Sequence, residues 1–176
     1  MTSPDSQGPT RTKANDHMAI RVTDMEVSTR FYINVFGAQV LTNPFVIEGD
    51  FAEEMLEGPA GVKFKLRQLT FESGVLELFQ FLEPAHAANP VHATQSNLLH
   101  MGFQVDNVEL VAAKVEAEGG RLLHDVTPWG AYKLVFVADP DGNVIELADA
   151  SIRELVRSTV VNFPEAKAPG VDYSVG

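Results

Sequence analysis

The feature that most constrains this chain is an internal duplication. His17-Met18-Ala19-Ile20-Arg21-Val22 recurs as His100-Met101-Gly102-Phe103-Gln104-Val105. Each copy then runs into a helix-like stretch. Each closes on a second matched segment, Val75-Leu76-Glu77-Leu78 in the first half and Val144-Ile145-Glu146-Leu147 in the second. A chain built this way must fold as two similar modules, and whatever chemistry one copy carries is echoed by the other.

The order of elements within each half follows from periodicity and punctuation. Residues 17–23 alternate as a strand does, and Thr23-Asp24-Met25-Glu26 reads as a capping box in which Thr23 or Asp24 is the cap and Glu26 reaches back to it. Val27, Phe31 and Val35 then share one helical face, and Gly37 ends the helix. A strand over 39–47, a short helix over 51–56, and a hairpin of 63–71 with 74–82 complete the first half. The second half repeats the order: a strand over 97–105, a helix opened by Asp106-Asn107-Val108-Glu109 and stopped at Gly119-Gly120, and strands over 121–126 and 132–137. The turn Asp139-Pro140-Asp141-Gly142 leads to a last strand over 143–148.

Each half is therefore β-α-β-β-β, which predicts an α+β protein: two tandem modules, each a mixed sheet with a helix on one face, together forming a cavity. Residues 1–15 read as a polar flexible tail and 16–150 as one domain, with module one over 16–83, a connector over 84–96 and module two over 97–150. Residues 151–176 are expected to add a short helix, over 151–158, and a tail.

Composition narrows the function. A formal charge of -11 disfavours nucleic acid and anionic membrane surfaces, both of which call for a basic footprint. No apolar run reaches the ~20 residues that span a bilayer. The chain has no cysteine, so disulfides, thiol nucleophiles and thiolate metal sites are excluded, in keeping with a cytoplasmic location.

Strand alternation selects the side chains that meet the cavity. Met18, Ile20 and Val22 belong under the first helix, leaving His17, Ala19 and Arg21 opposite. Leu76 and Leu78 go under it too, so Val75, Glu77 and Phe79 share the cavity face. In the second half His100, Gly102 and Gln104 stand opposite Met101, Phe103 and Val105, and Glu146 stands opposite Ile145 and Leu147. Glu77 and Glu146 each interrupt an apolar run, where an unpaired buried carboxylate would cost several kcal/mol. Two imidazoles and two carboxylates suit a divalent ion such as Ni, Zn, Co, Fe or Mn, with positions left over for a chelating small molecule. Arg21 could hold a substrate carboxylate, and Phe79, Phe81, Gln104, Trp129 and Tyr132 are further candidates for contact with substrate. His86, His92 and His124 read as exposed.

With these residues in place, the chain resembles the vicinal oxygen chelate superfamily, which includes glyoxalase I, methylmalonyl-CoA epimerase, extradiol dioxygenases, fosfomycin-resistance enzymes and bleomycin-binding proteins. The resemblance spans about residues 17–149. It rests on His17, the Phe31-Tyr32…Phe36-Gly37 helix end, His100, and Asp139-Pro140-Asp141-Gly142-Asn143-Val144-Ile145-Glu146. It implies paired modules, a homodimer, and a metal held by His17, Glu77, His100 and Glu146. Glu77 stands where glyoxalase I carries a metal-binding glutamate and the epimerase tends to have glutamine. Arg21 matches an arginine that glyoxalase I turns toward glutathione's carboxylate. Phe81 stands where that enzyme has an asparagine for glutathione, so the glutathione-binding pattern is incomplete. Phe136 replaces the dioxygenase tyrosine, which makes ring cleavage the weaker reading.

The expected activity is that of a metal-dependent isomerase or lyase of glyoxalase I type. Such an enzyme moves a proton between adjacent carbons through a chelated enediolate, with Glu146 or Glu77 as the base. Epimerisation of an α-substituted thioester is the nearest enzymatic alternative, and ligand sequestration without turnover the nearest non-enzymatic one.

Overall fold

The computed structural model describes residues 12, 14–85 and 98–174. The expected N-terminal tail, most of the connector, His86 and His92 lie largely or wholly outside the described residues.

The first module begins with strand β1 (His17–Arg21) and helix α1 (Met25–Phe36), followed by β2 (Gln39–Val40), β3 (Phe45–Ile47), α2 (Asp50–Leu56), β4 (Lys63–Phe71) and β5 (Gly74–Glu83). The second contains β6 (Met101–Gln104), α3 (Val108–Ala117), β7 (Arg121–Leu122), β8 (Thr127–Trp129), β9 (Tyr132–Ala138) and β10 (Val144–Ala148). Helix α4 (Ile152–Asn162) follows. The sheets are copies of each other, β1-β5-β4-β2 with β3 on β4, and β6-β10-β9-β7 with β8 on β9. In each, the first strand is parallel to the last and the remaining pairs are antiparallel. The α+β, two-module, mixed-sheet reading is thus what the chain adopts.

The strand expected over 39–47 divides into β2 and β3, with Asn43-Pro44 between them, because proline cannot donate to a ladder. The caps also differ in detail. Of the two candidate caps it is Asp24 that caps α1, accepting from the Glu26 and Val27 N–H groups, but Glu26 does not reach back and turns instead to Arg67 at 3.1 Å. Asn107 caps α3 through the Leu110 N–H, while Glu109 pairs with Lys133. Helix α1 ends as expected at Gly37, whose φ of 69° suits a residue without Cβ.

Helices α1 and α3 pack against each other, and the two modules share one apolar core. Ile20, Val22, Phe31, Leu76 and Leu78 meet Met101, Val108, Val115, Ile145 and Leu147 there. Phe36 stacks on Phe103 with centroids 4.6 Å apart. Gly120 is where this core is tightest: a Cβ on it would lie 2.5 Å from the Ala138 carbonyl oxygen and 3.0 Å from the Phe31 ring.

The Asp139-Pro140-Asp141-Gly142-Asn143 segment, legible in the sequence as a turn, is also the polar clasp between the modules. Asp139 Oδ1 accepts from the N–H groups of Asp141 and Asn143, and its Oδ2 accepts from the Tyr32 hydroxyl at 3.0 Å and from Asn143 Nδ2. Asp141 takes the Thr23 N–H and hydroxyl on Oδ1 and the Ser28 hydroxyl on Oδ2. Burial pushes the Asp139 carboxyl above its ordinary range. The Tyr32 phenol is raised well above its own, through burial first and then the neighbouring Asp139 charge.

Helix α4 is longer than the sequence suggested. Ser151 and Glu154 form a reciprocal capping box at its start. Leu155 packs with Ala148 and Ala150 against Trp129, Tyr132 and Leu134. In module one the corresponding positions, Phe64, Leu66, Phe79 and Phe81, cluster with Ala52 of α2. Module two joins β8 to β9 by a tight turn at Gly130 with no intervening helix, and the C-terminal helix supplies that cover instead.

Candidate functional site

Both sheets leave outside the shared core the face that carries the histidines and glutamates. On β1 and β5, Ala19 is the parallel partner of Glu77, and His17 stands two residues earlier on the same face. On β6 and β10, Gly102 partners Glu146, and His100 again stands two residues earlier. The small residue between each pair leaves room for the imidazole to lean toward the carboxylate. His17 Nε2 lies 3.9 Å from Glu77 Oε2, and His100 Nε2 lies 3.0 Å from Glu146 Oε2. The carboxylates are mostly covered, with side chains 16% and 17% exposed, and the imidazoles are more open.

The four candidate ligands therefore assemble two by two, one pair per module. Among the described residues no group of three or more His, Asp or Glu side chains converges at metal-binding range within the chain.

The other candidates distribute unevenly. Arg21 is exposed on the His17 face, level with Phe79, and its carbonyl accepts from Asn143 Nδ2. Phe79 and Phe81 follow Glu77 on the same face of β5 and pack on Phe64, at ring-centroid distances of 5.1 and 5.6 Å. Gln104 is exposed at the end of β6. Trp129 and Tyr132 belong to the cluster beneath α4, Trp129 stacking on Phe163.

Three contributors were not legible in the sequence. Gln68 stands directly across from Glu77 and donates its Nε2–H to Glu77 Oε1 at 2.8 Å. Thr42 accepts the Gln68 backbone N–H. His124 is exposed, as expected, but is not idle: its Nε2 accepts the Phe136 N–H at 3.1 Å, at the place Thr42 holds in module one. Sequence alternation could have placed Gln68 on the glutamate's face, but only the hairpin register sets it opposite.

The chain matches the model of the glyoxalase/bleomycin resistance protein/dioxygenase superfamily over residues 15–147. It is 28% identical over 143 residues to lactoylglutathione lyase of Schizosaccharomyces pombe, covering 77% of this chain and 47% of that one, so it spans about half of that relative. It is 26% identical over 136 residues to lactoylglutathione lyase of Salmonella typhimurium, covering 76% of this chain and 90% of the relative. Among solved structures, a glyoxalase family protein from Bacillus cereus superposes with a TM-score of 0.70 at 18% identity, over 81% of this chain and 97% of that one. The trypanothione-dependent glyoxalase I of Leishmania major gives 0.60 at 22% identity, over 88% and 100%. A fosfomycin resistance protein from Listeria monocytogenes, solved with Mn(II), gives 0.57 at 14% identity, over 83% and 99%. At these identities the solved structures speak for the fold, and the family match covers most of the folded chain. From its duplicated sheets to its matched histidine–glutamate pairs, this chain belongs to the glyoxalase/bleomycin resistance protein/dioxygenase superfamily.

Proposed function

We propose that this protein is a metal-dependent isomerase or lyase of glyoxalase I type, acting on a small molecule with oxygens on neighbouring carbons. The observation that carries the reading is the pair of like His–Glu sets at repeat-equivalent positions. The donor set fits a divalent first-row ion: two cis ligands at about 2.1 Å from one ion lie about 3 Å apart, the separation of His100 Nε2 from Glu146 Oε2 at 3.0 Å, while His17 Nε2 and Glu77 Oε2, at 3.9 Å, would close up on the ion. His17, Glu77, His100 and Glu146 would hold the ion. When bound, it would supply Lewis acidity to the substrate's oxygens and make the carbon-bound proton easier to remove.

The remaining work falls to the chain's own groups. A glutamate carboxylate takes the proton from one carbon and returns it to the next. Phe79 and Phe81 give the apolar end of a substrate a surface beside Glu77, and Arg21, exposed on the same face, would meet a substrate carboxylate.

Because the pairs sit on separate modules, the complete site is assigned to a homodimer, with module one of one protomer facing module two of its partner. Exposed apolar side chains around module one's site face, Phe45, Phe51 and Met55, support a partner there.

Metal analysis tests this reading on protein purified without chelator. About one ion per chain is expected for the wild type, with loss in His100→Ala. A folded chain that takes up none of Ni, Co, Zn, Fe or Mn, yet binds small ligands, would favour sequestration instead. Mixing His17→Ala with His100→Ala protomers tests the shared site. Each mixed dimer would hold one intact site, so roughly a quarter of wild-type metal binding should return. Sites contained within single chains would recover none. With metal confirmed, hemithioacetals and acyl-thioesters are the substrates to screen, separating glyoxalase-type isomerisation from epimerisation.

A further inference from the structure

The two copies correspond beyond the four candidate ligands. The N–H groups of Leu41 and Leu123 donate to the carbonyls of Gln68 and Phe136, each at 2.9 Å. The N–H groups of Gln68 and Phe136 go in turn to the next side chain along, Thr42 Oγ1 at 3.0 Å and His124 Nε2 at 3.1 Å. Register then sets Gln68 across from Glu77, and Phe136 across from Glu146. The backbone frame is the same in both modules, and the side chain facing the glutamate differs.

That difference changes what each carboxylate can do. Gln68 Nε2–H occupies Glu77 Oε1 at 2.8 Å, and Oε2 is the oxygen turned toward His17. One oxygen is tied and the other presented, on a side chain that cannot rotate without breaking the hydrogen bond from the Gln68 amide. Glu146 faces a phenyl ring, which donates nothing. Among the described residues its carboxylate meets a polar side chain only at His100. The Phe136 ring lies edge-on to the His100 imidazole at 5.2 Å and so steadies the histidine, not the acid. Solvent does not account for the contrast, since the two carboxylates are covered to the same degree.

We propose that Gln68 is a positioning residue that holds Glu77 as the fixed carboxylate of the site and leaves Glu146 as the one free to turn. The proposal rests on the His–Glu reading above. A hydrogen-bonded partner behind a ligating carboxylate fixes its orientation, and losing such a partner typically weakens metal binding 10–100-fold. A carboxylate that must leave one contact to collect a proton needs the opposite, an oxygen that nothing holds.

The test uses Co(II) alone, titrated into the full-length protein and followed by its visible spectrum, with a thermal melt as the folding control. Gln68→Leu, which keeps similar volume without a donor, should weaken Co(II) binding by about tenfold or more and alter the spectrum. Gln68→Met provides the same comparison if the leucine variant folds poorly. A double-mutant cycle separates positioning from a general structural effect. Gln68→Leu combined with Glu77→Gln should bind about as weakly as Glu77→Gln alone, while Gln68→Leu and Glu146→Gln should act additively. Wild-type-like Co(II) affinity and spectrum in Gln68→Leu, or equal additivity with both glutamates, would overturn the role of Gln68. Failure of the wild type itself to bind Co(II) would instead overturn the metal reading beneath it.

Discussion

Replacing Tyr32 with Phe probes the clasp that joins the modules. The Tyr32 side chain is fully buried, and its hydroxyl donates to Asp139 Oδ2 at 3.0 Å. Asp139 is itself 3% exposed and keeps its two backbone N–H donors and the Asn143 amide in the variant. The substitution therefore removes one of four hydrogen bonds to a buried carboxylate and leaves almost no cavity. A hydrogen bond to a charged group contributes about 1.5–3 kcal/mol, so the expected loss is about 2 kcal/mol. For a chain of this size that corresponds to a fall in Tm of roughly 4–8 °C.

The pH dependence has a definite sign. Burial holds the Asp139 carboxyl above its unfolded value. A group raised in this way contributes stability below its unfolded value and loses that contribution as pH rises through the folded one. Near neutral pH the carboxylate is thus the unfavoured form, which depends most on its donors. The cost of Tyr32→Phe should be largest there and shrink as pH falls through the raised Asp139 value. Urea unfolding of both proteins at neutral and mildly acidic pH measures this directly. A neutral-pH loss below about 0.5 kcal/mol, or a loss that grows on acidification, would refute the account of the clasp.

Other substitutions bear on packing and chemistry. Gly120→Ala forces a Cβ to within 2.5 Å of the Ala138 carbonyl oxygen, where backbone must move. A destabilisation of about 1–3 kcal/mol is expected by thermal or urea melts, and a neutral result would mean that α1 and α3 pack less rigidly than this geometry requires. Glu146→Gln should leave the melting profile intact and, once a substrate is found, lower proton-transfer turnover by about 10²–10⁴-fold, as measured by kcat. Turnover surviving that change would shift the proton-carrying role to Glu77. Asp141→Ala removes the acceptor for Thr23 and Ser28, and should raise amide hydrogen exchange at the start of α1 before it affects the distant end of α3.

The sequence by itself determined the module plan. The repeat of His17–Val22 as His100–Val105, the period-2 alternation around Glu77 and Glu146, and the stops at Gly37 and Gly119-Gly120 are local signals. They fix the order of elements common to both halves, which face each side chain takes, and where α1 and α3 end. They do not fix the division of 39–47 into β2 and β3, the shortening of 121–126 to β7, the strand β8 or the length of α4. Those signals also placed each histidine on the same face as its glutamate, because strand parity is a property of the chain alone. What local pattern cannot encode is which strand lies beside which, and in what register. The tertiary structure alone set Gln68 opposite Glu77 and Phe136 opposite Glu146, closing contacts between residues on different strands. It alone turned the Asp139–Asn143 turn into a clasp on Tyr32, Thr23 and Ser28, more than a hundred residues away in sequence. It also decided that the helices of the two modules, not their site faces, share a core. Burying the apolar stripes of α1 and α3 against both sheets leaves each His–Glu pair on its own module.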